Sequence, residues 1–226
     1  MTGKSIFITG TDTDVGKTVI TGCLAAALLR KGKKVFVYKP IQCGDLLSGE
    51  IKSKDLSLIQ ELSGLSSDTL KSDYNFSLAA SPHLAAEKEK EIIDVELIKK
   101  SLDSFLESYD YVLVEGAGGL IVPISRGYTV LDLIKELNTE VLLVSRAGLG
   151  TINHTSLTLN SLKSCGVSVI GVILNYYKGG IIEDDNKKII QTLNNVDVLG
   201  FVPFSDNLKE LASKFEDFVD MEKIIP

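Results

Sequence analysis

Two lysines, one threonine and two carboxylates carry the chemistry that this 226-residue chain can offer, and all but one of them follow an apolar run. Residues Gly10–Thr18, GTDTDVGKT, come directly after the apolar run Ser5–Thr9 and lead into a segment with helical spacing. A glycine-rich turn from strand to helix aims backbone N–H groups at phosphate oxygens, and the helix adds the positive end of its dipole. Lys17 supplies a full charge, and the Thr18 hydroxyl is placed to ligate Mg²⁺. Asp14, Val15, Gly16 and Val19 complete the turn and the first helical residues. Five residues separate Gly10 from Gly16, one more than the usual phosphate loop has. The chemistry is nucleotide phosphate binding.

A second lysine, Lys39, ends the second apolar run in the triplet Tyr38–Pro40. It either extends from a strand end into solvent or stands beside Lys17, where two cations repel unless anions lie between them. The third apolar run ends in Val114–Gly119, VEGAGG. An acid there, Glu115, is the expected Mg²⁺ partner of a phosphate loop, because a buried carboxylate without a cation is costly. Gly116, Ala117 and Gly118 let the backbone approach a ligand closely. Asp55 opens a helix after a long loop and either complements the helix dipole or completes the metal site. Cys43, in the Ile41–Gly44 loop, has no histidine partner in view and reads as a packed or substrate-contacting thiol.

Further positions follow later strands. Ser145–His154 forms a glycine-containing turn into an apolar helix, whose free N–H groups make a second anion pocket. Gly150, Thr151 and Asn153 belong to it, with Thr151 either a plain N-cap or part of the pocket, and His154 a surface or structural histidine. Asn175, followed by Tyr176, offers an amide donor and acceptor to a nucleobase edge, and the Pro203-Phe204-Ser205 turn can cover the same base. Ser81-Pro82-His83 reads as an N-cap followed by proline at the first helical position, not as a ligand site.

The elements that position these residues alternate strand and helix. Apolar, β-branched runs at Ser5–Thr9, Lys34–Tyr38, Tyr111–Val114, Val141–Ser145, Ser168–Leu174 and Val198–Val202 are separated mostly by segments of helical spacing. Several are apolar on both faces, as strands between two helical layers must be. The expectation is an α/β fold: one domain over residues 1–226, doubly wound, mainly parallel, of the P-loop NTPase type. Such sheets bind ligands beyond the carboxyl ends of their strands, which is where the residues above fall. The gap from Pro40 to Asp110 predicts a loop over Gln42–Ser53 and helices over Asp55–Leu62, Ser81–Glu89 and Asp94–Leu106. A net charge of −6 argues against nonspecific binding to nucleic acid or anionic membrane. No apolar run reaches the roughly 20 residues of a membrane span. The first strand begins too early for a signal peptide, and the three scattered cysteines form no disulfide framework. A cytoplasmic protein is expected.

Taken together, GTDTDVGKT, the Tyr38–Pro40 triplet, SPH at Ser81–His83, VEGAGG, GLGTINH at Gly148–His154 and the asparagine at position 175 resemble the dethiobiotin synthetase family of biotin synthesis. The resemblance covers nearly the whole chain. It implies a homodimer that joins CO₂ and 7,8-diaminononanoate, using ATP and Mg²⁺, into a cyclic urea with release of ADP and phosphate. It also implies roles: Lys17 on the β- and γ-phosphates, Lys39 on the carbamate and γ-phosphate, and Thr18, Asp55 and Glu115 on Mg²⁺. Thr13 and Cys43 line the diamine end, the Gly150–Asn153 turn receives the substrate carboxylate from the other subunit, and Asn175 reads adenine.

The chain departs from the family pattern at four places. Asp14 stands where glutamate is frequent, Cys43 where a hydroxyl usually meets substrate, Tyr176 where some members carry aspartate, and Ala79-Ala80 where a more polar pair is common. Two rivals are weaker. A ParA- or MinD-like switch ATPase carries a signature lysine five residues before the loop lysine, where this chain has Asp12. A cobyrinate-type synthetase has a glutaminase domain with a nucleophilic cysteine, which this sequence does not provide.

Overall fold

Strand β1, Lys4–Gly10, is buried along nearly its whole length, and its alternate side chains feed two different apolar layers. Ile6 and Ile8 point into one layer and Phe7 into the other. The same division recurs in the neighbouring strands: Val35 and Val37 against Phe36 and Tyr38, and Leu113 against Val112 and Val114. A period of two with both faces apolar forces helices onto both sides of the sheet.

A computed structural model describes residues 3–44, 46–48 and 53–225; the expected loop over Gln42–Ser53 therefore lies partly outside the described residues. In chain order the strands are β1 Lys4–Gly10, β2 Val35–Tyr38, β3 Ile41–Cys43, β4 Leu70–Lys71, β5 Tyr74–Phe76, β6 Tyr111–Gly119, β7 Pro123–Ser125, β8 Tyr128–Thr129, β9 Glu140–Arg146, β10 Val169–Tyr177 and β11 Val198–Pro203. The helices are α1 Lys17–Arg30, α2 Lys54–Ser63, α3 Pro82–Glu89, α4 Val95–Leu106, α5 Val130–Leu137, α6 Thr151–Ser164, α7 Ile181–Asn194, α8 Leu208–Ser213 and α9 Phe215–Phe218. The main sheet has seven strands in the order β11-β10-β9-β1-β6-β2-β4. Its pairings are parallel throughout. Helices α1, α2, α8 and α9 cover one face, while α4 and α5 cover the other around Phe7, Phe36 and Val112.

All six expected strands are present, as are the three helices expected between Pro40 and Asp110. Three differences are informative. First, that segment also holds β3, β4 and β5, with β3 paired to β5 in parallel. Strands of two or three residues are too short to show a period, so only tertiary pairing reveals them. Second, β6 runs on through Glu115 to Gly119 because its backbone keeps pairing with β1: Glu115 stands opposite Ile8, and Gly119 opposite Gly10. Third, β1 and β2 are not neighbours. Strand β6 lies between them, so Glu115 is carried on the strand that separates the Lys17 side of the site from Lys39.

Close packing ties this core to the site. Phe7 is fully buried, and a Cβ placed on Gly116 would fall 2.7 Å from its ring. Phe7→Ala is therefore expected to lower the free energy of unfolding in urea by about 3–5 kcal/mol. A loss below about 1 kcal/mol would show that this ring does not anchor the layer beneath β6.

Candidate active site

The phosphate loop is shaped by one left-handed glycine and held from outside by two side chains. Gly16, with φ of 93°, caps helix α1. A Cβ there would lie 2.0 Å from Asn175 Nδ2, so only glycine fits. The Asn175 amide donates to the Val15 carbonyl at 2.9 Å. Arg146, at the end of β9, donates to the carbonyl of Asp14 at 3.0 Å. Asp14 itself has a positive φ of 54°, a conformation that Asp tolerates better than most residues. Lys17 curls back over the loop and donates to the Asp12 carbonyl at 3.0 Å. Burial pulls its pKa below the ordinary lysine value; the Glu115 carboxylate opposes that shift and Lys39 adds to it.

Beside the loop sits a buried charge cluster. Lys39 Nζ lies 2.6 Å from Asp55 Oδ2 and 2.8 Å from Glu115 Oε1. The Thr18 hydroxyl donates to the same Glu115 oxygen at 3.0 Å. Glu115 is 1% exposed and Lys39 4%. Burial alone would strip the proton from Lys39, but the Glu115 and Asp55 carboxylates outweigh it and hold the pKa above the ordinary lysine value. The repulsion anticipated between the two lysines is real, and the intervening anion is the chain's own Glu115. The second oxygen of Glu115, Oε2, is buried and has no hydrogen-bond partner among the described residues.

Asp55 is placed by a polar latch. Ser53 caps α2 by accepting from the Leu56 N–H at 3.1 Å, and its own hydroxyl donates to Gln42 Oε1 at 2.6 Å. Gln42 in turn donates to the carbonyls of Cys43 and Gly44. The latch fixes the first turn of α2, and with it Asp55, against β3. Asp55 thus does more than complement a helix dipole.

These parts surround a cleft of about 460 Å³. Of the residues singled out in the sequence, Thr13, Asp14, Gly16, Lys17, Thr18, Lys39, Cys43, Asp55, Glu115, Gly116, Ala117 and Gly118 line it. A cleft with cations flanking a phosphate loop, and with acceptor oxygens able to share a divalent ion, is built for phosphoryl transfer.

A family model described as an AAA domain matches residues 4–212. The chain is 41% identical over 219 residues to the ATP-dependent dethiobiotin synthetase BioD of Clostridium perfringens, with 92% of this chain and 93% of the relative covered. It is 38% identical over 213 residues to the enzyme of the same name from Clostridium acetobutylicum, covering 92% and 89%. The chain belongs to the dethiobiotin synthetase family. Its fold is shared more widely: a ParA family ATPase from Chlorobium tepidum superposes with a TM-score of 0.60 over 99% of this chain and 93% of that one, at 21% identity.

In this member of the dethiobiotin synthetase family, other sequence candidates lie outside the cleft walls. Val15 is buried under the loop, and Val19 packs on the core. Asn175 is buried and presses on the loop, donating one amide N–H to the Val15 carbonyl. Tyr176, with φ of 59°, stands at the loop's edge with its ring 6.2 Å from that of Phe204 and the Arg146 guanidinium 5.9 Å above it. Pro203 ends β11, and Ser205 donates to the Asn207 carbonyl. Gly150, Thr151 and Asn153 open α6 and do not line the cleft. The N-cap of α6 is Gly150, not Thr151. The Thr151 hydroxyl turns inward to Ser145 at 2.9 Å and Thr155 at 3.2 Å, away from any anion at that turn, while the Asn153 side chain is exposed. Cys43 is half-buried, and its thiol is pushed up to about 11 by burial, with Lys39 opposing. It stays protonated near neutral pH, as a substrate-contacting rather than nucleophilic thiol would. Arg146 and Gln42 carried no local sequence signal, because each acts on a distant segment or through a backbone carbonyl, whereas Ser53 is a local helix cap whose serine the sequence displays.

The charge cluster makes a stability prediction. Lys39→Met leaves Glu115 buried without its cation and is expected to cost about 3–5 kcal/mol in chemical unfolding, most of it recovered when Glu115→Gln is added. Because Lys39 binds its proton more tightly when folded, its contribution is complete below the ordinary lysine value of about 10.4 and fades as pH rises through the higher folded value. Unfolding measured on both sides of that value checks the sign, and equal stability of the two single variants and the wild type would remove the cluster's structural role.

Proposed function

We propose that this chain, acting as one domain, catalyses ATP-dependent closure of 7,8-diaminononanoate with CO₂ to dethiobiotin, ADP and phosphate. Family membership supports the reaction. The observation that carries its chemistry is the protonated, buried Lys39 clasped by Asp55 and Glu115 at the edge of the phosphate loop. An amine of the substrate adds to CO₂ to give a carbamate, whose oxygen is too poor a leaving group for the second amine to displace. Phosphoryl transfer from ATP turns it into a carbamic–phosphoric anhydride, and ring closure then expels phosphate. Positioning and charge neutralisation supply most of the catalysis. Lys17 meets the β- and γ-phosphates, and Lys39 faces the carbamate and the transferring group.

Thr18, Asp55 and Glu115 would hold Mg²⁺, which supplies charge neutralisation at the phosphate oxygens when bound. The donor set fits a hard cation, since all three offer oxygen and Glu115 Oε2 is a buried acceptor without a partner among the described residues. Thr13 and Cys43 contact the diamine. Asn175, Tyr176 and the Pro203–Ser205 turn receive the adenine, with Asp14, Val15, Gly16, Val19 and Gly116–Gly118 around the nucleotide. The Gly150–Asn153 turn takes the substrate carboxylate in a partner copy. Exposed apolar side chains near that turn and at the start of α7, Leu149, Leu157, Ile181 and Ile182, support a face that another subunit covers. A cytoplasmic setting accords with three free cysteines. Among the described residues no helix is long and apolar enough to cross a membrane.

The shared fold with switch ATPases makes uncoupled hydrolysis the alternative. ADP release is expected to require both diaminononanoate and bicarbonate, and hydrolysis indifferent to the diamine would overturn the synthetase reading. Lys39→Ala should keep ATP affinity while kcat falls about 100-fold, since one donor to developing charge is worth roughly 3 kcal/mol; a near-normal kcat would take Lys39 out of the mechanism. Glu115→Gln should shift the Mg²⁺ titration to higher concentration, and an unmoved titration would exclude it as a ligand.

A further inference from the structure

The proposed reaction must dispose of a proton when each substrate amine forms its N–C bond, and the cleft walls hold few groups suited to take it. Lys17 and Lys39 are cations. Asp55 and Glu115 are committed to Lys39. Asp14 sits on the phosphate loop, and Cys43 is a protonated thiol. Imidazole is the side chain whose charge changes in the neutral range.

Ser81 lines the cleft with Ala79, Ala80 and Pro82, close to the Lys39 and Cys43 walls. The sequence suggests that its hydroxyl caps α3. Ser81 does occupy the N-cap position, with Pro82 first in the helix, but its side chain makes no capping hydrogen bond. The hydroxyl instead meets His83 Nδ1 at 3.0 Å. A residue type favoured for capping has been diverted to a histidine. His83 itself is half-exposed, so its ring can exchange protons with water.

We propose that Ser81 and His83 form a proton relay for the substrate amine. This rests on the synthetase reading above. The amine lone pair attacks the carbon of CO₂, forming the N–C bond while one C=O electron pair moves onto oxygen. The N–H proton passes to Ser81 Oγ as the Ser81 hydroxyl proton passes to His83 Nδ1. The products are a carbamate anion and an imidazolium, which releases its proton to water. Ser81 is the catalytic residue in this step, and His83 acts through it. Glu87, one turn further along α3, interacts with the charge of His83 and is itself gripped by Arg126 at 2.7 and 3.0 Å. The strands that pack on α3, β3, β5 and β7, carry Cys43 and Tyr74 as their titratable side chains.

The test is steady-state kinetics across the neutral pH range with diaminononanoate, bicarbonate and ATP, for the wild type, Ser81→Ala, His83→Ala and His83→Gln. All three variants are expected to lose about 100-fold in kcat, in the range of general acid–base catalysis, with KM for ATP unchanged. His83→Ala should lose the acid limb of the pH profile and regain rate with added imidazole. A wild-type rate and profile in His83→Gln, which keeps a polar partner for Ser81, would overturn the relay while leaving the reaction intact. So would lost activity in His83→Ala with neither imidazole rescue nor a changed profile, which marks a structural role. A wild type with no diamine-dependent turnover would overturn the relay together with the synthetase reading.

Discussion

A full charge removed from water has to find a counter-charge, and in this chain that requirement organises the site. Lys39 and Glu115 are almost wholly buried at the carboxyl edge of the sheet, with Asp55 closing the cluster from the start of α2. Neither Lys39 nor Glu115 would be tolerated there alone. Their proximity follows from strand order: β6 inserts between β1 and β2, so the acid it carries lies between the phosphate-loop side and Lys39. The same arrangement holds the proton on Lys39.

The phosphate loop depends on support from outside its own residues. Gly16 and Asp14 both hold positive φ, and conformations of that kind persist where surrounding contacts over-determine them. Here Asn175 from β10 and Arg146 from β9 each hold a loop carbonyl. Both sit at carboxyl ends of strands on the far side of β1 from β6, so the loop is fastened on one flank while its other flank faces the charge cluster. Asn175 acts on the loop's geometry through one amide N–H, which accounts for the burial of its carboxamide.

The sheet is also a reminder that fold and chemistry separate. The same layered architecture is shared with a ParA family ATPase at low identity, and nothing in the layers themselves favours ligation over switching. At the sheet's edge this chain carries Asp12 in its phosphate loop and the Lys39, Asp55 and Glu115 set with the Gln42–Ser53 latch that orients it.

By itself the sequence determined the parallel α/β sheet, the phosphate loop, and Lys17, Lys39 and Glu115 as its charged edge. These are local signals: apolar period, a glycine turn between strand and helix, and costly charges at apolar strand ends. Tertiary structure alone decided that β6 separates β1 from β2, that β3, β4 and β5 form at all, and that Ser81 turns to His83 instead of capping its helix. It also decided that Arg146 and Asn175 serve the phosphate loop and that Thr151 faces inward. The reason is physical. Backbone pairing between distant strands, and hydrogen bonds to carbonyls that every residue possesses, leave no mark on residue type, whereas burying an apolar face or a charge does.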